Sequence, residues 1–285
     1  MTTITDLCHA YTMYSKEYKK SYRSDCSKFN KYIIPQLGDM KIAEVTRKDL
    51  QHYINGLTHL QRATRNRHIA IIKALFTFAR EQEYIEKSPA AGMRAYKEPA
   101  SLRKAMEPEE FAKFIKVLKN EILIEPRDTL SLIMLLAFTG LRLGEARSAL
   151  MQDVDFKKSM LFLRDTKSGD SRLVPLCGEA KDIILMQKNK HGSNGLIFRS
   201  KNGGMASEPR RLMTALCEKA GIDKYTPHSL RYTAGSAMLA ATRDLYAVKR
   251  FLGHKCISTT TIYAQYFGGQ QHEDIERAMA LMLKG

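Results

Sequence analysis

The stretch Thr226-Pro-His-Ser-Leu-Arg-Tyr232 has the pattern of a helix that begins beside an anion. Proline fixes φ and suits the first turn of a helix, so Pro227 sets where this helix begins. His228 and Arg231 then lie three residues apart on that turn and point the same way. The turn favours a phosphate, because unpaired N–H groups and the positive dipole end face outward there. A His and an Arg at this spacing are equally typical of a solvated helix face, so the rest of the chain decides between the two interpretations.

Two later segments supply more groups suited to phosphate. Phe251-Leu-Gly-His-Lys255 adds an imidazole, and Thr259-Thr-Thr-Ile-Tyr-Ala-Gln-Tyr266 adds two phenols. Together with His228 and Arg231 they offer two imidazoles, a guanidinium and two phenols. This set suits a phosphodiester better than a carbonyl, a sugar or a metal.

The charge of the chain indicates a polyanionic partner. The 285 residues are enough for two domains and carry a formal charge of +16, with a pI near 9.6. The excess is +9 over residues 1–104 and +7 over the remainder. Two basic folded halves, unlike a basic tail, indicate that both face one long polyanion. DNA or RNA is the natural candidate, and a membrane surface is the weaker one.

Cysteine usage and apolar runs indicate a cytosolic protein. Nothing resembles a secretory signal, and no C-x-x-C spacing typical of zinc sites is present. We therefore interpret five cysteines as reduced thiols, namely Cys8, Cys26, Cys177, Cys217 and Cys256. The longest apolar run, Leu130–Phe138, is too short to span a bilayer and predicts a buried helix.

Residues 1–94 are predicted to form a small all-helical domain. Apolar residues recur at spacings of three and four in successive segments, and no strand pattern interrupts them. The segment that begins near Thr64 has a core-facing stripe formed by Ile69, Ile72, Phe76 and Ala79. Its polar face carries Arg65, Arg67 and Lys73, which are candidates for phosphate contact or simply a solvated face.

The periodicity lapses over residues 95–106, which predicts a basic linker. An ordinary connection explains this segment as well, but basic side chains there are suited to run beside a phosphate backbone. The candidate residues at and near this linker are Arg94, Lys97, Arg103 and Lys104.

Residues 107–285 are predicted to form a second domain, in which an arginine follows the end of the buried helix. In Thr139-Gly-Leu-Arg-Leu-Gly-Glu-Ala-Arg147, Gly140 suits a helix C-cap and a new helix can begin near Leu143. Arg142 between apolar neighbours needs an acid, a carbonyl or an anionic ligand. Glu145 either is that acid or holds a nearby side chain, and a purely structural Arg–Glu pair is the alternative.

Strand patterns appear only in the second domain. Met160–Leu163 and Arg172–Pro175 flank a Gly-containing break and predict a hairpin, with Lys167 at its tip or shoulder. A lysine on such a turn is ordinarily exposed surface. Leu196-Ile-Phe198 predicts a third short strand, so we expect a small sheet inside a helical domain.

The motifs now resemble, in order, those of the tyrosine recombinase (phage integrase) family. They are Thr139-Gly-Leu-Arg-Leu-Gly-Glu145, Thr166-Lys-Ser-Gly169, His228-Ser-Leu-Arg231, and Leu252-Gly-His254 followed nine residues later by Tyr263. Each motif alone is weak, but the set in this order is specific. The resemblance implies a mainly α fold. It would be a two-domain DNA clamp, with an all-helical N-terminal domain and a helical catalytic domain that contains a small antiparallel β-sheet.

The resemblance also implies a role for each residue. Tyr263 attacks the scissile phosphate and leaves a 3′-phosphotyrosine and a free 5′-hydroxyl. The other catalytic positions are Arg142, Lys167, His228, Arg231 and His254, and Glu145 braces the site. A covalent phenol suits this task, because a DNA hydroxyl can later attack the phosphotyrosine. Arg142 and Arg231 would hold the non-bridging oxygens, Lys167 would protonate the leaving oxygen, and His228 would accept or relay the proton of the phenol.

Two positions qualify this assignment. Tyr232 stands where the family often has His, which changes a packing contact. Tyr266 shares a helical face with Tyr263 and is a rival nucleophile, although its spacing from Leu252-Gly-His254 fits less well.

The family further implies the partners. Double-stranded DNA is the substrate, the working form is a homotetramer on DNA, and accessory DNA-bending or directionality proteins are possible partners. No metal, nucleotide or membrane is needed, and the protein would be cytoplasmic and associated with a prokaryotic or phage nucleoid. The segment Gly268–Leu283 predicts a tail helix that docks on a neighbouring protomer or packs on its own domain. The first helix begins so early that the chain is either a simpler recombinase or a shortened one.

Three rival functions stay open. A type IB topoisomerase uses similar chemistry but relaxes supercoils without site choice. A catalytically silent DNA-binding protein needs the charge but not the reactive residues. A ribonuclease has use for His, Lys and Arg, but little for Tyr263.

Overall fold

The computed structural model describes residues 2–19, 21–98, 104–164, 171–263 and 279. The chain divides into two compact units, residues 1–101 and 102–285. The described part is mainly helical, which confirms the predicted fold class. None of the described helices is long and apolar enough to cross a membrane.

The first unit is built from helices α1 to α5 around one apolar core. Their bounds are α1 Ile4–Tyr18, α2 Tyr22–Lys28, α3 Ile34–Leu37, α4 Arg47–Gly56 and α5 Arg62–Glu81. Thr3 and Thr46 cap α1 and α4, each accepting a hydrogen bond from the backbone N–H of an aspartate three residues on. The predicted stripe on α5 is buried, so the 3.6-residue period placed this helix correctly.

The second unit is helical around a larger core and contains one small sheet. Its helices are α6 Pro108–Ile124, α7 Asp128–Thr139, α8 Leu143–Ser148, α9 Gly178–His191, α10 Arg210–Ala220, α11 Pro227–Thr242 and α12 Leu245–Leu252. Helix α7 is the apolar run of the sequence, and it is buried against α9 and α11. Helix α7 is therefore the central helix of this core, with α9 and α11 packed on it.

The sheet is antiparallel, in the order β1 Val154–Asp155, β2 Met160–Leu163 and β3 Arg172–Pro175. In the register, Leu163 pairs with Arg172 and Met160 with Pro175. The two predicted hairpin strands are therefore confirmed. The tip of the hairpin, with Lys167, lies outside the described residues.

The prediction of a strand at Leu196-Ile-Phe198 was wrong. Leu196 makes only an isolated bridge to Leu150, while Ile197 and Phe198 are buried in the core. This apolar run is a core-filling loop with one isolated bridge, because its burial accounts for its hydrophobicity without a strand ladder. The third strand of the sheet is β1 instead.

Residues of the predicted linker are held at both of its ends. In the first unit, the Asn66 side chain accepts from the Tyr96 backbone N–H (2.7 Å) and donates to the Tyr96 carbonyl (2.9 Å). In the second unit, the Met106 N–H donates to Thr233 Oγ1 on α11 (2.9 Å), and Met106 is buried. The second anchor fixes the start of this unit to the helix that begins at Pro227.

Candidate active site

The site begins where α7 ends. Gly140 adopts the left-handed conformation (φ 60°) and its N–H donates to the Leu136 carbonyl, which closes the helix. The chain then enters α8 with Arg142 just ahead of its first turn. Glu145 accepts from the Arg142 backbone N–H (3.0 Å) and from Arg142 Nη1 (2.8 Å). The Arg–Glu pair expected from the sequence is therefore present.

Glu145 is shared between two guanidinium groups. Arg172, the first residue of β3, donates from Nη1 to Oε1 (3.1 Å) and from Nη2 to Oε2 (2.9 Å). The Glu145 side chain is only 5% exposed. Burial by itself raises the pKa of this carboxyl, but the hydrogen bonds from Arg172 and Arg142 outweigh it and hold the pKa below its ordinary value. Glu145 is thus ionised at neutral pH.

Arg231 is buried near the start of α11, as its fifth residue. Its Nη1 donates to the Gly140 carbonyl (2.6 Å) and its Nη2 to the Leu252 carbonyl (2.7 Å), so it joins the ends of α7 and α12. Burial, with a further contribution from the nearby charge of Arg142, lowers the pKa of Arg231 to about 10. The guanidinium therefore stays charged at neutral pH.

Positive charge exceeds negative charge in this cluster. The electrostatic neighbours of Arg231 include Arg142, Arg172 and Glu145, so within the part of the chain that the structure describes three guanidinium groups lie near one carboxylate. Within the described residues, Arg231 uses two of its five N–H donors on carbonyl groups. An arginine cluster with surplus charge and donors is suited to an oxyanion such as phosphate.

Tyr263 lies beside this cluster in an apolar niche. Only 1% of it is exposed, and it packs with Leu239, Val248 and Leu252 of α11 and α12. A side chain at Gly235 would occupy this space, since an added Cβ would lie 2.5 Å from Tyr263 Cε1. The glycine in the middle of α11 is therefore what makes room for the ring.

The two imidazoles flank the niche differently. His254 is buried, its Nδ1 lies 2.9 Å from Thr260 Oγ1, and its ring stacks on Tyr263 with centroids 6.3 Å apart. His228 is exposed at the start of α11 and meets Tyr232 edge to face at 4.9 Å. Tyr232 in turn contacts Tyr263 at 6.0 Å. The aromatic rings thus form a continuous series from His228 to His254.

The predicted site residues Arg142, Glu145, Arg231, His254 and Tyr263 are all brought together in the second unit. Lys167 and the rival Tyr266 lie outside the described residues, as does the tail segment apart from Met279. Among the described residues, no group of three or more His, Cys, Asp or Glu side chains is arranged to hold a metal ion.

Most predicted DNA-binding residues of the first unit are exposed. Those on α5 and after it are Arg67, Lys73, Arg94 and Lys97. Arg65 differs, because its Nε donates to the carbonyls of Leu57 (2.8 Å) and Leu60 (3.2 Å) and braces the turn before α5. In the second unit, Lys104 forms an ion pair with Asp223 and lies 5.4 Å from the centroid of the Tyr225 ring. Arg103 lies outside the described residues.

Two residues of the site, Arg172 and Gly235, were not predicted from the sequence. Arg172 was seen only as a strand residue, and its partner Glu145 lies 27 positions earlier, so no local pattern connects them. Gly235 carries a weak signal, because a glycine inside a helix is unfavourable by about 1 kcal/mol and implies a packing reason.

The fold and the site together define a two-unit helical protein with an arginine-rich centre beside a buried tyrosine. Residues 104–268 match the phage integrase family, and residues 10–58 match the phage integrase N-terminal SAM-like domain. The chain belongs to the phage integrase family. One relative is the tyrosine recombinase XerA of Pyrococcus furiosus, which is 32% identical over 219 residues, covering 75% of this chain and 73% of that protein.

Solved structures share the fold at lower sequence identity. The Tn1549 transposon integrase in complex with a circular intermediate DNA has a TM-score of 0.75 at 18% identity, covering 92% of this chain and 95% of that one. A lambda integrase tetramer bound to a Holliday junction has a TM-score of 0.72 at 20% identity, covering 90% and 78%. These similarities support the architecture of both units.

Proposed function

We propose that this protein is a site-specific DNA recombinase that breaks and rejoins strands through a covalent 3′-phosphotyrosine intermediate. The observation that carries the proposal is the surplus of arginine around Glu145, next to a tyrosine. Among the described residues, three guanidinium groups and one carboxylate leave a net positive pocket, and a phosphodiester supplies the missing negative charge. Tyr263 is the nucleophile that distinguishes this pocket from a simple binding site.

In this proposal Arg142 and Arg231 bind the two non-bridging oxygens of the scissile phosphate. Charge builds on these oxygens as the phosphorus becomes pentavalent, so donors already fixed in place stabilise the transition state more than the ground state. Arg231 is fixed by its bonds to the Gly140 and Leu252 carbonyls, and Arg142 by Glu145. His254 adds a donor, with its ring orientation set by Thr260.

Tyr263 forms the phosphotyrosine bond as the 5′-oxygen of the next nucleotide leaves. The phenol loses a proton, which His228 accepts or relays, and Lys167 gives a proton to the departing oxygen. The number of phosphodiester bonds is conserved, so rejoining is the reverse attack by a DNA 5′-hydroxyl. The ring has to leave its niche for attack, because only 1% of Tyr263 is exposed in the free protein.

The partner we propose is double-stranded DNA, bound by both units. In the first unit the exposed cations on α5 and at the start of the linker, Arg67, Lys73, Arg94 and Lys97, would contact backbone phosphates. Arg103 and Lys104 would extend this path, and Arg65 would support it through the turn before α5. The working form would be a tetramer on DNA, acting in integration, excision or inversion in the cytoplasm of a prokaryote, with accessory proteins that set direction.

The experiment uses a library of duplexes with random cores and a nick near each core, so that the released fragment diffuses away after cleavage. Adducts that survive denaturant are purified and their DNA is sequenced, which identifies the site. We expect adducts without added metal or ATP from the parent protein and from Tyr266→Phe, and none from Tyr263→Phe. Mass spectrometry should place the nucleotide on the peptide that contains Tyr263.

Tyr263→Phe is a matched control, because it keeps the buried ring and removes only the reacting hydroxyl. An adduct that survives this change and disappears in Tyr266→Phe would move the nucleophile to Tyr266. Relaxation of a plasmid that lacks the selected site would favour a topoisomerase. Absence of any adduct on DNA that the protein binds would reject the proposed activity.

A further inference from the structure

Arg172 connects three parts of the second unit. It is the first residue of β3, and its guanidinium forms a two-pronged pair with Glu145 at distances of 3.1 and 2.9 Å. Its side chain is only 16% exposed. Bidentate pairs of this kind fix both partners in orientation as well as in distance.

The same guanidinium lies against Gly253, the residue between α12 and His254. Gly253 has a left-handed backbone (φ 65°), and an added Cβ would be 2.5 Å from Arg172 Cζ. The Gly253 carbonyl also lies 3.4 Å from Arg142 Nη2, as an acceptor. Arg172 therefore contacts both Glu145, which holds Arg142, and the turn that leads to His254.

One donor of Arg172 is left unsatisfied by this arrangement. Its Nε is buried and has no hydrogen-bond partner within the described part of the chain. A buried unpaired donor is costly, so a residue chosen only for stability would not be expected here. We therefore look for the role of Arg172 in its contacts with Glu145 and Gly253.

The balance of charge around Glu145 indicates how Arg172 affects Arg142. With Arg172 present, the single carboxylate of Glu145 is divided between two guanidinium groups, and Arg142 is only partly neutralised. Without Arg172, Glu145 and Arg142 would form a one-to-one pair of net charge zero. Arg142 would then be held more tightly by the acid and attract an oxyanion less.

We propose that Arg172 is a positioning residue: by occupying the second face of Glu145, it leaves the charge of Arg142 only partly neutralised by that carboxylate and keeps Arg142 oriented towards the scissile phosphate. The proposal rests on the proposed function for the identity of the phosphate. If the proposal is correct, loss of Arg172 slows adduct formation because Glu145 then neutralises Arg142. Removing the carboxylate of Glu145 as well should therefore restore part of the rate of adduct formation.

The test compares Arg172→Gln, Glu145→Gln and the double variant with the parent protein. The rate of adduct formation is measured in single turnover at saturating selected DNA, and the dissociation constant for that DNA is measured separately. We expect Arg172→Gln to slow adduct formation roughly 10- to 100-fold, with DNA affinity changed less than about threefold. The double variant should recover at least about half of that loss on a logarithmic scale.

The matched control is Arg164→Gln, at the residue that directly follows β2, the other strand of the same hairpin. Arg164 forms an ion pair with Asp153, a carboxylate outside the cluster, so its loss removes an arginine pair of the hairpin without touching Glu145. We expect the adduct rate of this variant to stay within about twofold of the parent. Arg172→Lys keeps the charge but loses the bidentate geometry, and should restore only part of the rate.

A second readout is independent of strand cleavage. Binding of inorganic phosphate, measured by its stabilisation of the protein against thermal unfolding, should weaken in Arg172→Gln and return in the double variant. If the parent makes no adduct, the proposed function fails, while the phosphate measurement still decides the role of Arg172. Additive losses in the double variant in both readouts, or a slow Arg164→Gln, would assign Arg172 a merely structural role and overturn the proposal.

Discussion

Two buried acids lie on either side of α7 in the sequence and have different neighbours: Asp128 is the first residue of α7, and Glu145 lies on α8, six residues after α7 ends. At the N-terminal end, Asp128 contacts Lys190 Nζ (2.7 Å) and His191 Nε2 (2.7 Å), and it accepts from the backbone N–H of Arg199 (2.6 Å). Beyond the C-terminal end, Glu145 is shared by Arg142 and Arg172, with Arg231 close by. Both acids are 7% exposed.

The difference lies in the balance of charge. Among the described residues, one lysine offsets the carboxylate of Asp128, and its other donors are a backbone amide, an imidazole and the side-chain amide of Gln187. Around Glu145 arginine is in excess, and that excess is unfavourable until an anion arrives. The comparison teaches that burial of an acid does not mark a functional site, whereas an unbalanced cluster of fixed donors does. Three changes test this contrast, besides those described for Tyr263 and Arg172.

The largest expected effect comes from Arg231→Ala. The change leaves the Gly140 and Leu252 carbonyls without their charged donor, which should lower the free energy of unfolding of the second unit by about 3–5 kcal/mol. It should also abolish adduct formation, because a phosphate-binding guanidinium is lost. Urea unfolding and the adduct assay measure the two effects. A variant as stable as the parent would show that the two hydrogen bonds of Arg231 add nothing to stability. It would also contradict the view that Arg231 is a donor fixed by these bonds.

Asp128→Asn should have the next largest effect, and on stability alone. Burial raises the pKa of Asp128, but hydrogen bonds from Arg199, Lys190 and His191 outweigh it and keep the pKa below its ordinary value. A carboxyl with a lowered folded-state pKa stabilises the fold above its unfolded pKa, and this contribution disappears as the pH falls through the folded pKa. The variant should therefore lose about 2 kcal/mol at pH 7 and much less below about pH 4.

Hydrogen exchange of peptides from α7, at both pH values, measures this difference. The adduct rate at pH 7, below the unfolding temperature of the variant, should stay within about twofold of the parent. A strong loss of adduct formation in a folded Asp128→Asn protein would break the distinction between the structural acid, Asp128, and the functional cluster around Glu145.

The smallest expected effect comes from Gly235→Ala, which separates the charged cluster from the apolar niche. Alanine favours the helix by about 1 kcal/mol, but its Cβ would overlap the Tyr263 ring, so we expect a net loss of about 1–2 kcal/mol. The displaced phenol should become reactive to tetranitromethane, detected by mass spectrometry. Gly178→Ala is the control, since no atom lies within 4 Å of the added Cβ. Unchanged nitration of Tyr263 in Gly235→Ala would show that the ring does not depend on this glycine.

The sequence predicted those features that are encoded locally. The cap at Gly140, the start of α8, the stripe on α5 and the two strands of the hairpin each depend on residues within one or two turns, and the structure has them. The apolar run at Leu196-Ile-Phe198 misled, because a buried loop and a buried strand share the same composition. The composition of a three-residue apolar run therefore does not decide between a strand and a loop.

The site residues were predicted as a set but not in their arrangement. Motif order brought together Arg142, Arg231 and Tyr263, whereas the link from Arg172 to Glu145 depends on how β3 packs beside α8. The burial of Tyr263 was not predicted either, because a nucleophile is expected to be accessible to its substrate. Nothing in the sequence indicates that Gly235 leaves space for the ring. Contacts between distant segments are set by packing, which local patterns do not encode.

The bonds of Arg231 have a consequence for the fate of damaged copies of the protein in a cell. The guanidinium of Arg231 joins α7 to α12 and is proposed to bind phosphate. A mutation of Arg231 therefore lowers the stability of the fold and abolishes activity at the same time. Such a product would be cleared by proteases and would not occupy a recombination site. A copy altered only at the hydroxyl of Tyr263 would persist, bind DNA and block its intact neighbours. Of the two, Tyr263→Phe is therefore the variant to use for trapping the protein on DNA, and the one that would act as a dominant inhibitor.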